Sequence, residues 1–363
     1  MGSCPSEAGL DESVILIQRP RFVAPVRLPE LVTKLRDLRP ANPREFISTW
    51  TEKDVLDGKV VDAWVIIFRT RGCYWARKSG CSMCGYVNDV AIEVTEDDLR
   101  AQVQSVLSRH RGEPFVKVYT SGNFFDEREV FPVVRAEIVK ALGDRCEKVM
   151  VETLSHLVRR EPLEEGTRLA QKFEIALGLE SANDVILRHA VNKMWGLREH
   201  VRAAELAHEV GATVKSYLLL KPPFLTEREA IEDTVETAHA VDSVSDTISI
   251  NPMNVQRNTV VDFLFHRGEY RPPWLWSVAE VLRRCRDLKA LVKSHPTGGG
   301  MRRGAHNCGV CDGAFLRAIE DRSLGLGDAL DDLACNCRQE WADTLELQGF
   351  LQGAPDLSAL VRG

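Results

Sequence analysis

The chain has 363 residues, of which 44% are hydrophobic and 28% are charged, with 25 Gly and 16 Pro. This ordinary globular composition excludes collagen-like, coiled-coil and intrinsically disordered proteins, and the length fits two domains or one extended α/β barrel. Lys and Arg number 47 against 53 Asp and Glu, so the net charge of −6 excludes recruitment of nucleic acid by bulk charge. A nucleic-acid partner would need a local basic patch.

The apolar stretches and the cysteines indicate the compartment. No uncharged apolar stretch is long enough to span a membrane, and the apolar run Val14–Ile17 follows acidic residues instead of the basic start of a signal peptide. Ten cysteines are too few for a secreted disulfide scaffold, and seven of them fall into two tight groups. We therefore expect a cytoplasmic protein with no membrane partner, in which the grouped cysteines bind metal.

Apolar runs of strand length alternate with helical segments from Val61 onward, which is typical of βα units around a parallel sheet. The six predicted strands are Ala63–Phe68, Phe115–Tyr119, Lys148–Val151, Phe173–Leu177, Thr213–Leu219 and Thr247–Ile250. The predicted helices include Glu96–Arg109, Glu127–Leu142, Leu197–Val210, Glu227–Val241 and Ser277–Leu288. Six βα units form three quarters of a barrel, in which the loops after the carboxyl ends of the strands carry the chemistry.

Three segments follow from this pattern. Residues 1–60 are rich in proline, contain one short helical pattern near Leu28–Leu38, and form a predicted N-terminal extension. Residues 61–294 form the predicted partial barrel. A glycine-rich break at Gly298–Gly300 then introduces a small Cys-rich C-terminal domain over residues 295–363.

The first cysteine group follows the first predicted barrel strand and consists of Cys73, Cys81 and Cys84, with the spacing C-x7-C-x2-C. Three cysteines suit a [4Fe–4S] cluster that leaves one iron open to an exogenous ligand, whereas a structural zinc site needs a fourth protein ligand. The alternative is a zinc knuckle completed by a distant Cys or His.

These cysteines and several later motifs resemble the radical S-adenosylmethionine (SAM) superfamily. The usual spacing there is C-x3-C-x2-C, and longer first gaps occur in its Elp-type branch. More closely, the motifs resemble the archaeal radical SAM archaeosine synthase family (RaSEA), from about Trp64 through Glu346. The motifs are Cys73-Tyr-Trp-Ala-Arg-Lys-Ser-Gly-Cys-Ser-Met-Cys-Gly-Tyr86, Tyr119-Thr-Ser-Gly-Asn-Phe-Phe-Asp126, Gly178-Leu-Glu-Ser181, Leu220-Lys-Pro-Pro-Phe224 and Asn251-Pro-Met-Asn-Val-Gln-Arg257.

The resemblance implies a fold, a cofactor set and several site residues. The fold is an α/β, partial (βα)6 TIM-like radical SAM barrel, and the cofactors are a [4Fe–4S] cluster on the three cysteines and SAM. The resemblance and the chemistry of the strand ends together predict seven SAM-binding residues. Thr120, Ser121 and Gly122 are expected to bind the methionine amino group, and Glu152 and Glu180 the ribose. Met83 and Tyr86 are expected to contact the adenine.

Four basic residues and one polar segment near these motifs are further candidates. Arg188 and Lys193 could neutralise the methionine carboxylate, although we expect solvated surface side chains. Lys215 has a functional role if it faces the barrel interior, because a buried lysine needs a partner; Lys221 could also face the barrel. The polar segment Asn251–Arg257 is a candidate for substrate contact.

The implied substrate is tRNA that carries a lysine-modified 7-deazaguanine in its D-loop. A 5′-deoxyadenosyl radical would initiate cleavage of a carbon–nitrogen bond, which is lyase chemistry and leaves the amidine of archaeosine. A lysine-attaching partner subunit and an external electron donor are also implied, and no catalytic side chain is predicted. Two alternatives are a different Elp-type tRNA-modifying enzyme and a non-enzymatic scaffold with zinc at both cysteine groups.

The second cysteine group consists of Cys308, Cys311, Cys335 and Cys337. Two close pairs separated by a helix-length segment predict a structural zinc site that fastens a small domain with a thin core. In one variant of this hypothesis His306 replaces a member of the second pair. The rivals are an auxiliary iron–sulfur cluster and free thiols.

Overall fold

The computed structural model describes residues 28–37 and 41–351. The first part of the predicted extension 1–60, including Val14–Ile17, and the last residues of the segment 295–363 therefore lie outside the described residues. Within these residues one curled sheet has eight strands in sequential order, which are β1 (Ser48–Leu56), β2 (Lys59–Phe68), β3 (Phe115–Thr120), β4 (Lys148–Thr153), β5 (Lys172–Glu180), β6 (Thr213–Leu220), β7 (Thr247–Pro252) and β8 (Leu291–Ser294).

The predicted α/β partial barrel is confirmed, with two strands that the sequence analysis missed. Strands β2 through β8 are parallel, and β1 pairs antiparallel with β2 from Ser48 opposite Ile67 to Leu56 opposite Lys59. The turn between them has positive φ at Asp57 and Gly58, which is the conformation of a tight two-residue hairpin. The barrel thus has seven parallel strands instead of six, and an antiparallel strand at one edge.

The helices cover the outer face of the sheet and the mouth of the barrel. They are α1 (Leu28–Lys34), α2 (Tyr74–Lys78), α3 (Glu96–Leu107), α4 (Pro132–Gly143), α5 (Arg160–Leu169), α6 (Asp184–Ile186), α7 (Leu197–Glu209), α8 (Glu227–Val241), α9 (Val260–His266), α10 (Leu275–Arg284), α11 (Asp312–Ser323) and α12 (Arg338–Leu351). A short π-helical turn, Leu187–Val191, follows α6. No helix within the described ranges combines the length and the apolar character that crossing a membrane requires.

The two faces of the sheet bury different side chains. On the outer face, Val116 and Val118 of β3 belong to an apolar cluster that includes Leu99 of α3 and Ile138 of α4. The inner face carries a smaller apolar cluster, whose members are Leu56, Ala63, Phe115, Met150 and Ala176. Because side chains alternate along a strand, the inner face of β3 also presents the next odd-numbered residues to the barrel interior.

Charged side chains occupy the rest of the barrel interior. Asp54 of β1 is fully buried and forms ion pairs with Lys117 of β3 and Lys293 of β8, while Lys215 of β6 lies 3.8 Å from Asp54 and 3.6 Å from Glu174. Burial acts to raise the pKa of Asp54, but the three lysines hold it well below its ordinary value. Lys215, whose orientation the sequence left open, therefore faces the barrel interior and has two carboxylate neighbours.

The C-terminal segment packs directly on the barrel. Helix α11 contacts β8 and α10, where Phe315 lies edge-on to Trp276 at 4.5 Å between ring centroids. Trp341 of α12 stacks on the same Trp276 at 5.9 Å, and its indole N–H donates a hydrogen bond to the Ser277 hydroxyl at 2.9 Å. These contacts fix the start of α12, and with it Cys337, beside α10.

Candidate active site at the mouth of the barrel

The loop that carries the first cysteine group, here called the cysteine loop, spans residues 69–95 between β2 and α3. Cys73 immediately precedes α2, and Cys81 and Cys84 follow that helix, with the Cys84 N–H donating to the Cys81 carbonyl at 3.3 Å. All three thiols are free. Burial and, to a smaller extent, the charge of Cys73 raise the pKa of Cys84 to about 12. The structure thus brings the three predicted ligands into one electrostatically linked group.

The turn after β3 holds Cys73 in place. The Cys73 N–H donates to the Ser121 carbonyl at 3.3 Å, and the Asn123 side-chain amide donates to the Cys73 Sγ atom at 3.4 Å. A β-carbon at Gly122 would overlap the Cys73 backbone, so only glycine permits this approach. The Thr120 hydroxyl accepts the Gly122 N–H at 3.1 Å. The predicted trio Thr120, Ser121 and Gly122 therefore lies directly against the cysteine loop.

Two polar residues that the sequence analysis did not select support this turn. Buried Glu129 accepts hydrogen bonds from the Thr70 hydroxyl at 2.7 Å and from the Asn123 N–H at 2.6 Å, and burial raises the pKa of its carboxyl to about 7. The Asn123 side-chain oxygen accepts the Leu154 N–H at 3.0 Å, which ties the turn to the end of β4. Asn123 lies within the motif Tyr119–Asp126, so the sequence did contain a signal from which this residue could have been selected.

The segment after β5 supports the opposite side of the cysteine loop. Asn192, which has a left-handed φ of 64°, donates side-chain hydrogen bonds to the Ser79 hydroxyl at 2.8 Å and to the Gly80 carbonyl at 2.5 Å. The Trp75 indole N–H donates to the Asn192 carbonyl at 2.8 Å, and the Ser82 N–H donates to the Val191 carbonyl at 2.9 Å. The π-helical turn thus ends in a residue that fixes the middle of the loop.

The segment after β7 contacts a third part of the cysteine loop. The Gln256 side-chain oxygen accepts the Gly85 N–H at 2.6 Å, and the Asn88 side-chain amide donates to the Arg257 carbonyl at 3.2 Å. The polar segment Asn251–Arg257 therefore bonds to the cysteine loop, a contact that its composition did not indicate.

Helix α1 covers the same side of the loop. Met83 packs against an apolar cluster that includes Leu31 of α1 and Met253 after β7. Arg36 donates a hydrogen bond to the Ser79 carbonyl at 2.5 Å, and the charges of the three cysteine-loop thiols act on its guanidinium. By contrast, the predicted adenine contact Tyr86 has 56% of its surface exposed beside Cys84.

The two acidic residues predicted at the strand ends lie near the thiols. Glu180 ends β5 with a left-handed φ of 75°, and the charges of Glu152 and Glu180 act on the thiol of Cys84. Burial and the charge of Glu180, partly opposed by Lys193, together raise the pKa of Glu152 to about 8. Glu152 and Glu180 thus form an acidic pair at the mouth of the barrel.

Lys193 is the cation of this acidic pair. Its side chain is only 2% exposed and donates to the Glu180 carboxylate at 3.1 Å and to the Gly178 carbonyl at 2.5 Å. Arg188 is a solvated side chain paired with Asp184, as the sequence suggested. The same expectation is wrong for Lys193, because the chain returns to the mouth after the π-helical turn. Lys221 is not a free cation in the barrel, since it pairs with buried Glu227.

An aromatic group stands beside α2. The Tyr74 hydroxyl and His156 Nε2 share a hydrogen bond at 2.6 Å, and the His156 ring stacks on Trp195 at 3.9 Å between centroids. Trp195 also meets Trp75 edge-on at 5.3 Å. Burial and the charge of Lys193 together lower the pKa of His156 to about 4, so the imidazole is neutral at physiological pH.

The second cysteine group forms a separate, compact site. The Sγ atoms of Cys308, Cys311, Cys335 and Cys337 all lie within 4.8 Å of one another, and three of the separations are 3.7, 3.7 and 3.9 Å. The Asn307 amide donates to Cys311 Sγ and the Trp276 indole N–H donates to Cys337 Sγ, each at 3.3 Å. His306 is not a member of this compact group of ligand atoms, and its Nδ1 bonds to the Gly304 carbonyl at 2.8 Å.

Fold and site together define an α/β partial barrel with a three-cysteine loop at the carboxyl ends of its strands and a four-cysteine group behind it. No protein-family model matches the chain. The archaeosine synthase subunit beta of Methanosarcina acetivorans is 38% identical to it over 330 residues, which cover 88% of this chain and 95% of that protein. The archaeosine synthase subunit beta of Thermococcus kodakarensis is 37% identical over 310 residues, covering 82% and 96%. The chain belongs to the archaeosine synthase subunit beta family.

Two solved structures have a more distant similarity to this chain. The archaeal Elp3 of Methanocaldococcus infernus with an N-terminal deletion has a TM-score of 0.45 at 15% identity and covers 63% of this chain and 59% of that one. A mutant of spore photoproduct lyase has a TM-score of 0.43 at 11% identity, with 84% and 85% covered.

Proposed function

We propose that this protein is a radical SAM enzyme of archaeosine biosynthesis that acts on tRNA. The observation that carries the proposal is the cysteine loop, in which the charges of Cys73, Cys81 and Cys84 act on one another, and the charges of the pair Glu180 and Lys193 act on Cys81. Membership of the archaeosine synthase subunit beta family supports the same activity. Such an enzyme would work in the cytoplasm, where thiols stay reduced and tRNA is present.

The cysteine loop fits a [4Fe–4S] cluster held by three thiolates. Burial raises the pKa of all three thiols, so a thiolate there needs a cationic partner, which iron would supply. The Asn123 amide already donates a hydrogen bond to Cys73 Sγ, as expected for a group that tunes a cluster ligand. A cluster with three protein ligands leaves one iron open for SAM.

The residues around the acidic pair fit SAM. Ser121 Oγ and Thr153 Oγ1 are buried at the ends of β3 and β4 and have no hydrogen-bond partner among the described residues, which is what a polar ligand would satisfy. We propose that Thr120, Ser121 and Gly122 receive the methionine amino group and that Glu180, with Glu152, accepts the ribose hydroxyls. Met83 and Tyr86 would contact the adenine.

The chain's own part in the reaction is to bind, orient and exclude water. When bound at this mouth, the reduced cluster and SAM would supply the radical chemistry that starts the reaction. Lys193 holds the Glu180 carboxylate at 3.1 Å, which fixes the proposed ribose contact. Met83 and the apolar cluster with Leu31 and Met253 exclude solvent from one side of the mouth, which protects a radical from quenching.

We propose as the substrate a tRNA with a lysine-modified 7-deazaguanine in its D-loop, from which carbon–nitrogen cleavage of the lyase type leaves archaeosine. Since the relatives are named as a beta subunit, a partner subunit that attaches lysine fits the proposal. An external electron donor would supply the reducing electron, because no side chain of the site can do so.

For the second cysteine group we propose structural zinc. Sulfur atoms at the corners of a tetrahedron around zinc, at about 2.3 Å from the metal, stand about 3.8 Å apart. The separations of 3.7, 3.7 and 3.9 Å fit that geometry. Thiolates on different irons of a cluster are held farther apart because iron and sulfide lie between them. Zinc would fasten residues 295–363 to the barrel of residues 61–294, the division proposed from sequence.

The decisive experiment is incubation of the anaerobically reconstituted, reduced protein with SAM and lysine-modified tRNA, followed by mass analysis of the nucleosides. Archaeosine should appear together with 5′-deoxyadenosine. The variants Cys73→Ala, Cys81→Ala and Cys84→Ala should each lose SAM cleavage, while Cys146→Ala, which alters a buried cysteine outside both groups, should retain it. A colourless zinc protein without SAM cleavage would refute the proposal.

A further inference from the structure

Four cationic side chains form a patch on the outer side of the cysteine loop, here called the cationic collar. The collar consists of Arg71, Arg77, Lys78 and Arg128. Arg71 precedes the Gly72–Cys73 turn, and Arg77 and Lys78 end α2, the helix that Cys73 begins. Arg128 lies in the turn after β3 that holds Cys73. All four therefore stand within a few residues of a contact to the first cysteine.

Backbone carbonyls hold three members of the collar against one another. Arg77 donates from Nε and from its terminal nitrogen to the Arg71 carbonyl at 3.1 and 2.6 Å, and Arg71 donates to the Arg128 carbonyl at 3.4 Å. Partial burial lowers the pKa of Arg77, and the charge of neighbouring Arg71 lowers it further. The guanidinium groups of Arg71 and Arg77 therefore lie near each other despite their electrostatic repulsion.

The collar carries an excess of positive charge. Arg128 pairs with Asp126 at 2.8 Å. Across residues 28–37 and 41–351, the side chains of Arg71, Arg77 and Lys78 form no ion pair with a carboxylate, although the charge of buried Glu129 acts on Arg77. Against a net charge of −6, this concentration of cations is the local patch that a polyanionic partner requires.

Planar side chains adjoin the collar. The Arg128 guanidinium lies 4.4 Å from the centroid of the Tyr74 ring, and Tyr74 is linked through its hydroxyl to the stacked rings of His156 and Trp195. All three rings are half-buried, so part of each remains accessible. Arginines interleaved with aromatic planes match the phosphates and the unstacked bases of RNA.

We propose that the cationic collar binds the sugar–phosphate backbone of the RNA substrate and holds that RNA at the mouth of the barrel. The inference rests on the proposed function for the choice of tRNA as substrate. An acidic redox protein is the rival occupant, since the collar also borders the proposed cluster. The planar, forked guanidinium of arginine fits phosphate oxygens in pairs, and three of the four cations are arginine with aromatic neighbours, which favours RNA.

The test measures binding of an unmodified tRNA transcript by fluorescence anisotropy at several salt concentrations. The double variant Arg71→Glu, Arg77→Glu should weaken binding by about tenfold or more at low salt and reduce the slope of log Kd against log salt by about two. The matched control is Lys59→Glu, Arg145→Glu, which makes the same charge change at exposed positions near the amino ends of β2 and β4. This control should bind tRNA nearly as the parent does.

Further measurements separate the possible failures. Equal tRNA affinity for the collar variant and the control would overturn the proposal, and equal affinity together with lost binding of an acidic flavodoxin would assign the collar to the electron donor. The conservative variant Arg71→Lys, Arg77→Lys should retain most tRNA binding. This result would show that the weaker binding of the glutamate variant is caused by the change of charge. If the parent binds tRNA through the collar but forms no archaeosine, the proposed function fails while the collar stands.

Discussion

Gly122 lies so close to Cys73 that a β-carbon at position 122 would stand 2.4 Å from the Cys73 backbone nitrogen and 2.3 Å from the Glu129 carboxylate. We therefore expect Gly122→Ala to lower the free energy of unfolding by about 2–3 kcal/mol, as overpacking does, and to reduce the iron bound after reconstitution. Urea denaturation and iron analysis measure the two effects. Gly327→Ala, where nothing lies within 4 Å of the added carbon, is the control and should change neither.

Glu180→Gln tests the proposed ribose contact. The amide keeps the shape but loses the charge that accepts hydrogen bonds strongly, so SAM binding should weaken by about 10- to 100-fold with iron content nearly unchanged. Isothermal titration of the reconstituted protein with SAM gives the affinity. Asp184→Asn, which alters an exposed carboxylate after the same strand, should bind SAM as the parent does. Loss of iron in Glu180→Gln would instead make Glu180 a structural residue.

Glu152 should make the metal-free protein less stable as the pH rises. Its pKa is raised to about 8 in the folded protein, above the ordinary value of 4.5, so between these values the folded state keeps a proton that the unfolded state has lost. The stabilisation is complete below pH 4.5 and is lost as the pH rises to 8. Glu152→Gln should remove a slope of about −1.4 kcal/mol per pH unit, measured by urea denaturation between about pH 6.5 and 7.5. Identical slopes for parent and variant would contradict the raised pKa.

Asp54→Asn should be strongly destabilising. The substitution leaves Lys117, Lys215 and Lys293 buried without their shared carboxylate, and breaking a buried ion pair from one side costs about 3–5 kcal/mol. Asp62→Asn is the matched control on the neighbouring strand, because its pair with Lys53 is more than half exposed at both side chains and should contribute less than about 1 kcal/mol. Similar denaturation midpoints for the two variants would show that the interior network is dispensable.

The zinc hypothesis predicts metal content. Protein purified anaerobically should contain about one zinc in addition to the four irons of the proposed cluster, and Cys311→Ser should lose the zinc while retaining the iron. Cys285→Ser, at a buried cysteine outside the four-cysteine group, should keep both metals. Zinc-free protein with roughly eight irons would mean that a second cluster occupies the C-terminal site.

The parallel part of the fold followed from sequence because its longer strands are rich in apolar residues, even where Lys117, Glu174 and Lys215 interrupt them. Strand β1 was missed because its alternating burial is weak, although Asp57-Gly58 between Leu56 and Val60 is a strong hairpin signal. Strand β8 was missed because its four residues are too few to form a distinct apolar run in the sequence. Local sequence patterns therefore predict the buried central strands best, and the strands at the two edges of the sheet, β1 and β8, have the weakest patterns.

The seven grouped cysteines of the candidate sites could be predicted from sequence, because their spacing is typical of metal ligands. The burial of Lys193 was not predictable, because it depends on a π-helical turn and on the left-handed Asn192, which together return the chain to the mouth. The support that Gln256 gives to Gly85 joins residues 171 positions apart and leaves no local signal. Contacts between distant loops are set by the tertiary fold.

The charged interior also determines the alignment of the edge strand. β1 pairs with β2 so that Asp54 lies opposite Val61 and points inward to the lysines. A shift of one residue along β2 would turn every β1 side chain to the other face, placing Asp54 outside and leaving Lys117, Lys215 and Lys293 in the interior without their shared carboxylate. Electrostatic repulsion therefore penalises the slipped alignment far more than a lost apolar contact would, and this single carboxylate gives the edge strand a unique register.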